Sequence, residues 1–130
     1  MADIEQIALN APLMPTLKTR KEFLAIRSGK RHVTANFNMQ AKPRDAETGI
    51  RIGYTVTKKI GNAVVRSRIK RRFKHAFAYS VALKLKKTEN VNMDFILVAK
   101  KPVLNVPFST LVAELTKGID RLVITGNKAA

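Results

Sequence analysis

A chain of 130 residues, 45% of them hydrophobic, can bury one modest core, so a single domain is the simplest organisation and two would each be marginal. Lys and Arg number 25 against nine Asp and Glu, and the resulting net charge of +16 exceeds what solubility needs and points to a phosphate-rich partner held in a salt-dependent way. Cysteine is absent, which excludes disulfides and thiolate metal sites, and the longest apolar run, Phe95 to Ala99, is far too short to span a bilayer. The opening residues carry Asp3 and Glu5 with no basic stretch, so they do not read as a signal peptide, and the expected location is the cytoplasm.

Residues 1–15 show no sustained period and end in Pro12 and Pro15; they are expected to form a mobile tail or a strap along the surface. The folded domain is expected over 16–124, with 125–130 as a C-terminal tail. Thr19-Arg20-Lys21-Glu22 has the form of a capping box, a hydroxyl at the N-cap and a carboxylate three residues on. Phe23 and Ile26 then give a short helix its apolar pair, and Gly29 is a plausible stop. Lys18, Arg20, Lys21, Arg27, Lys30 and Arg31 make this region a basic patch.

From Val33 to Ala41 apolar residues alternate with Thr34, Asn36, Asn38 and Gln40, which predicts one half-buried strand. The Pro, Asp, Thr and Gly of 43–49 predict a hairpin-type connection to a second strand, Ile50–Thr57, whose Ile52, Tyr54 and Val56 oppose Arg51, Gly53, Thr55 and Thr57. Small polar residues on that second face leave room for a ligand.

Lys58 to Lys74 holds eight of the 25 cations and no acid. Ile60-Gly61-Asn62 reads as a tight exit from the strand, and Asn62 as the cap of a helix running to about Lys86. At about 100° per residue, Val65, Ile69, Phe73, Ala76, Ser80 and Leu83 fall on one face that must meet a core. The basic side chains of Arg66, Arg68, Lys70, Arg71, Arg72 and Lys74 occupy the remaining arc. Ordinary solvated faces mix charge signs, so this one points to a polyanion, and the narrow core-like stripe of its apolar residues favours nucleic acid over an acidic membrane. After a polar loop at 87–92, Met93–Lys100 is nearly continuous in apolar residues and predicts a strand buried on both faces. Lys100-Lys101-Pro102 ends it, and Leu111, Leu115, Ile119 and Leu122 mark a last helix opening near Pro107. Read from the residues, the order is helix, strand, strand, basic helix, strand, helix: an α+β or split βαβ sandwich with helices on one small sheet.

A nuclease acting alone would need clustered carboxylates for Mg²⁺ or a histidine pair for proton transfer. The nine acids are scattered, with none between Thr48 and Thr88, and His32 and His75 are the only histidines, both expected to be surface or satisfied imidazoles. Ser67 stands between two arginines with no base beside it. The inventory describes a binder. Phe23, Phe37 and Tyr54 could stack on unpaired bases, although Phe37 and Tyr54 fall on the apolar faces of their strands.

Lys58-Lys59-Ile60-Gly61-Asn62-Ala63-Val64-Val65-Arg66-Ser67-Arg68-Ile69-Lys70-Arg71 resembles the signature of the bacterial ribonuclease P protein subunit. The Glu22-Phe23 helix, the Phe37 strand, Ile52-Gly53-Tyr54 and Ala99-Lys100-Lys101-Pro102 fall where that family has similar elements, so the likeness covers roughly 16–123. It implies an α-β-β-β-α-β-α-type two-layer α/β sandwich, a small mixed sheet packed by helices with a left-handed βαβ crossover, a fold shared with a ribosomal-protein domain. It also implies a role beside a catalytic RNA that uses Mg²⁺, bound mainly by that RNA, to remove the 5′ leader of precursor tRNA in a 1:1 holoenzyme, with no membrane partner. On that likeness Lys58, Lys59, Asn62, Arg66, Arg68, Lys70, Arg71 and Lys74 are expected to face the RNA subunit. Phe23, Thr55, Thr57, Lys100 and Lys101 are expected in a cleft for the single-stranded leader. No protein residue is expected to be catalytic or to bind metal. Ser67 departs from the family's usual Asn, and Gln40 from a frequent aromatic. The alternative reading is a ribosomal or other structural RNA-binding protein without a processing role.

Overall fold

The computed structural model describes residues 13–17, 19–27, 29–44, 49–85 and 91–125. Residues 1–12 of the expected tail, the middle of the 43–49 connection, most of the loop expected at 87–92 and the last five residues lie outside the described residues. The elements are α1 (Arg20–Ile26), β1 (Lys30–Val33), β2 (Phe37–Pro43), β3 (Ile50–Thr55), α2 (Ala63–Lys84), β4 (Met93–Ala99), a 3₁₀ turn (Lys101–Asn105), α3 (Phe108–Ile119) and a π-helical continuation (Asp120–Thr125). This is an α+β fold on one four-stranded mixed sheet of order β1-β2-β4-β3.

β4 lies antiparallel to β2 and parallel to β3, with Leu97 opposite both Met39 and Tyr54. Interior position explains its nearly continuous apolar run, interrupted only by Asp94, in which every residue but Val98 is buried. Helices α2 and α3 pack on one face over Phe37, Met39, Ile52, Phe95 and Leu97. Phe73 stacks on Tyr54 at 6.3 Å and meets Phe37 edge-on at 5.9 Å; Phe77 meets Phe95 at 5.2 Å. Buried Ser80 donates to the Ala76 carbonyl and to that of Val112, joining α2 to α3.

The opposite face carries a smaller cluster of Leu17, Ile26 and Ile96, against which Phe23 and Val98 pack, so α1 covers part of that side. Pro15–Leu17 runs parallel to β3: Ile52 donates to the Pro15 carbonyl at 3.0 Å and Leu17 to the Ile52 carbonyl at 2.8 Å. A strap therefore covers the edge that β3 would otherwise expose.

Three expectations from the sequence are corrected. Val33 to Ala41 is two strands, because the Thr34 hydroxyl accepts from the Asn36 and Phe37 amides and turns the chain, leaving Val33 60% exposed and Ala35 exposed too. The 43–49 segment does not join neighbouring strands, since β4 lies between β2 and β3; its ends are instead fastened to the entrance of β4, where the Asn92 carbonyl accepts from Arg44 and the Asn92 side-chain oxygen accepts from Gly49. The buried face of α2 includes Phe77, Ala78 and Val81 and leaves Leu83 50% exposed, because α3 as well as the sheet covers the second half of this helix.

Candidate nucleic-acid interface

β3 ends at Thr55, and the chain reaches α2 through a turn at Lys58–Ile60 that is pinned by the buried Ile60 side chain and by its amide donating to Thr57. Asn62 caps α2: its side-chain oxygen accepts from the Val65 amide at 3.0 Å, so that oxygen is spent on starting the helix. Ile69 and Phe73 bury the inner face and fix which side chains face outward. Arg66, Lys70 and Lys74, four residues apart, form one row, and Arg68 and Arg71 stand on the other flank. Lys58, Lys59, Arg68, Lys70 and Arg71 are exposed; Arg66 and Lys74 are half-buried. Arg72 is differently used, donating to the Val106 carbonyl at 2.7 Å and toward that of Val103, which ties the 3₁₀ turn to the helix.

Among the described residues the ion pairs are Arg44–Asp94, Arg51–Glu22, Arg51–Asp94 and Lys84–Asp120. None involves Lys58, Lys59, Arg66, Arg68, Lys70, Arg71 or Lys74. Such a surface lowers its own repulsion by taking up phosphate.

A groove of about 240 Å³ opens beside α1 on the side of the sheet away from α2. Arg20, Phe23 and Leu24 of α1, with Arg27 just after it, form one wall; Gln40, Thr55, Ile96 and Val98 of the sheet form the floor. Phe23 and Thr55 thus stand together. Thr57 is exposed beyond the end of β3 and does not line the groove. Lys100 donates its Nζ to the Thr34 carbonyl, bracing the β1–β2 turn, and Lys101 is exposed at the start of the 3₁₀ turn. Arg20 and Arg27 are wall residues that reading the sequence placed in a basic patch but not in a cleft, and Leu24 was not singled out; the three- and four-residue spacings among Arg20, Phe23, Leu24 and Arg27 are the signal that groups them. The three residues from Thr55 to Lys58 span at most about 11 Å, so the groove floor leads directly to the basic turn.

His32 is not at the surface: it is 5% exposed, beneath Arg121, whose guanidinium nitrogen lies 3.5 Å from its Nδ1. Burial, then the charges of Arg121 and Lys117, hold the imidazole below its ordinary range, with Glu114 opposing them. His75 is half-buried on α2, with its Nδ1 enclosed and making no hydrogen bond among the described residues. Ser67 is exposed.

Together these features define a class: small, strongly basic α+β proteins with a helix whose first half presents a block of exposed and half-buried cations, and with a groove on the opposite side of the sheet. Residues 14–123 match the family described as Ribonuclease P. The chain is 37% identical over 109 residues to the ribonuclease P protein component of Bartonella quintana, covering 79% of each chain, and 39% identical over 111 residues to that of Brucella suis, covering 79% of this chain and 76% of the relative. In structure it resembles the RNase P protein from Thermotoga maritima, with a TM-score of 0.66 at 22% identity over 78% of this chain and 92% of that one. A Staphylococcus aureus RNase P protein gives 0.61 at 22% identity over 85% and 94%. The chain belongs to the ribonuclease P protein family.

Proposed function

We propose that this protein is the subunit that assists a catalytic ribonuclease P RNA in removing the 5′ leader of precursor tRNA, one protein to one RNA. The observation that carries the reading is the acid-free set Lys58, Lys59, Arg66, Arg68, Lys70, Arg71 and Lys74, none of it in an ion pair among the described residues, in a chain of this family. These cations neutralise crowded phosphates of the RNA subunit, and Asn62 holds the helix that presents them. The groove takes the single-stranded leader. Phe23 and the apolar floor meet bases, Thr55 and Gln40 supply hydrogen bonds, and Arg20 and Arg27 meet the backbone. Lys101 and Thr57, both exposed, extend the polar rim toward leader phosphates and sugars, and Lys100 contributes by bracing the adjoining turn.

The protein's part in the chemistry is binding and orientation. The chemistry at the scissile phosphate would come from Mg²⁺ bound mainly by the RNA, and no residue of this chain is assigned to hold it. Cations on the protein lower the Mg²⁺ concentration at which the folded RNA and its substrate come together.

Fluorescence anisotropy tests the reading. The protein is expected to bind ribonuclease P RNA tightly and, once in that complex, to favour precursor tRNA over mature tRNA. Equal affinity for the two tRNAs would contradict the leader assignment.

A further inference from the structure

The side chain of Glu22 does two separate jobs. Its Oε1 completes the capping box, accepting from the Thr19 amide and the Thr19 hydroxyl at 3.0 Å each, while its Oε2 receives Arg51 Nη1 at 2.8 Å. Arg51 in turn spends its other two nitrogens on the buried Asp94 of β4, with Nε at 2.9 Å and Nη2 at 2.8 Å. Arg44 approaches the same carboxylate at 3.2 Å. Burial pushes the Asp94 carboxyl up and its hydrogen bond to Arg51 pulls it down. The guanidinium is therefore held from below in a bidentate fork, with its third nitrogen aimed at α1.

α1 needs such a fastening. It has seven residues, too few to be stable alone, and of these only Ile26 is buried. The large core lies on the other side of the sheet, so the position of α1 rests on a small apolar cluster, on this polar contact and, near its C-terminal end, on Lys42 of β2, whose Nζ donates to the Ala25 carbonyl at 3.2 Å. Phe23 follows Glu22 directly, and positions 51 and 53 share one face of β3: Arg51 holds the carboxylate, and Gly53 receives the ring.

We propose that Arg51 is a positioning residue for the leader groove. By clamping Glu22 it sets how far α1 stands from the sheet, and so the width of the groove between Phe23 and the floor at Thr55 and Gln40. This rests on the reading that the groove takes the leader. A space of about 300 Å³ on the other flank of α1 is lined by Lys21, Glu22, Arg44, Arg51 and Asp94, so the clamp sits at the wall of that space and not inside the leader groove. Lysine cannot replace the arginine, since it lacks the planar fork that engages two carboxylates at once.

The test uses holoenzyme reconstituted with a bacterial ribonuclease P RNA and three variants, Glu22→Gln, Arg51→Lys and Phe23→Ala. Glu22→Gln keeps an oxygen for the cap and removes the charge facing Arg51. It is expected to raise KM for a leader-bearing precursor about tenfold, the scale of one charge-assisted hydrogen bond, with kcat and the affinity for mature tRNA unchanged. Arg51→Lys is expected to act in the same direction, and the double variant to be no worse than the poorer single one, since both break the same interaction. Wild-type KM in Glu22→Gln, or an equal loss of affinity for mature tRNA, would overturn the proposal. Phe23→Ala separates the two levels: if it costs leader affinity while Glu22→Gln does not, the clamp is wrong and the groove stands. If Phe23→Ala also costs nothing, the groove reading fails and the clamp with it.

Discussion

The ring of Phe23 lies against the backbone of Gly53, so closely that a β-carbon at position 53 would stand 2.5 Å from its Cζ. Absence of a side chain there lets α1 approach the sheet. Gly53→Ala is expected to push the ring and its helix outward, destabilising the fold by about 1–3 kcal/mol as overpacking does. In chemical denaturation this appears as a lower midpoint, and in binding as a smaller preference for precursor over mature tRNA. A full leader preference in Gly53→Ala would show that ring placement does not govern the groove.

Arg66, Arg68, Lys70 and Arg71 are expected to bind phosphates. Replacing any one by Ala should weaken binding to ribonuclease P RNA and reduce the slope of log K against log salt by roughly one for each cation removed. Arg72→Ala should behave differently, because its guanidinium is bonded to carbonyls of the 3₁₀ turn. It should cost about 1–3 kcal/mol of stability with the salt slope retained. Anisotropy titrations at several salt concentrations, paired with denaturant melts, distinguish the two behaviours.

Asn62→Ala removes the oxygen that accepts from Val65 at the start of α2. The expected cost is about 1 kcal/mol, seen as a lower melting temperature, with only a secondary loss of RNA affinity. Asn62→Asp or Asn62→Ser should restore stability, and failure of both would mean that the cap is not what the side chain contributes.

His32 links stability to pH. Its folded-state pKa lies below the ordinary 6.5, so between those two values the unfolded chain binds more protons than the folded one. Stability therefore rises with pH in that window and is lost on acidification from 6.5 downward. Replacing His32 by Asn should flatten the decline of melting temperature through this range. Asp94, whose carboxyl is raised, contributes the opposite slope at lower pH, so the difference between wild type and variant isolates the imidazole.

Local chemistry made much of the fold readable. The capping box at Thr19, the Asn62 cap, the apolar run of β4 and the core stripe of α3 each obey a rule that a few residues state completely. The β1–β2 boundary was hidden because Thr34-Ala35-Asn36 continues a period of two while the Thr34 hydroxyl turns the chain. Strand order was hidden for another reason: nothing in 43–49 reveals that β4, more than forty residues on, will enter between β2 and β3. The exposed cations of α2 stood out as an unbroken block. The groove was expected only through the family resemblance, which named Phe23 and Thr55 but not Arg20, Leu24 or Arg27, because its wall and floor come from elements far apart in the chain, and the clamp through Arg51 joins residues 22, 51 and 94.

The most direct measurement is cleavage of a precursor tRNA at low Mg²⁺ by a bacterial ribonuclease P RNA, with this protein, without it, and with the protein alone. Cleavage at the 5′ leader junction only in the mixture is the predicted result. If adding the protein changes nothing although it binds RNA, or if the protein cuts unaided, a subunit that assists a catalytic RNA is the wrong account.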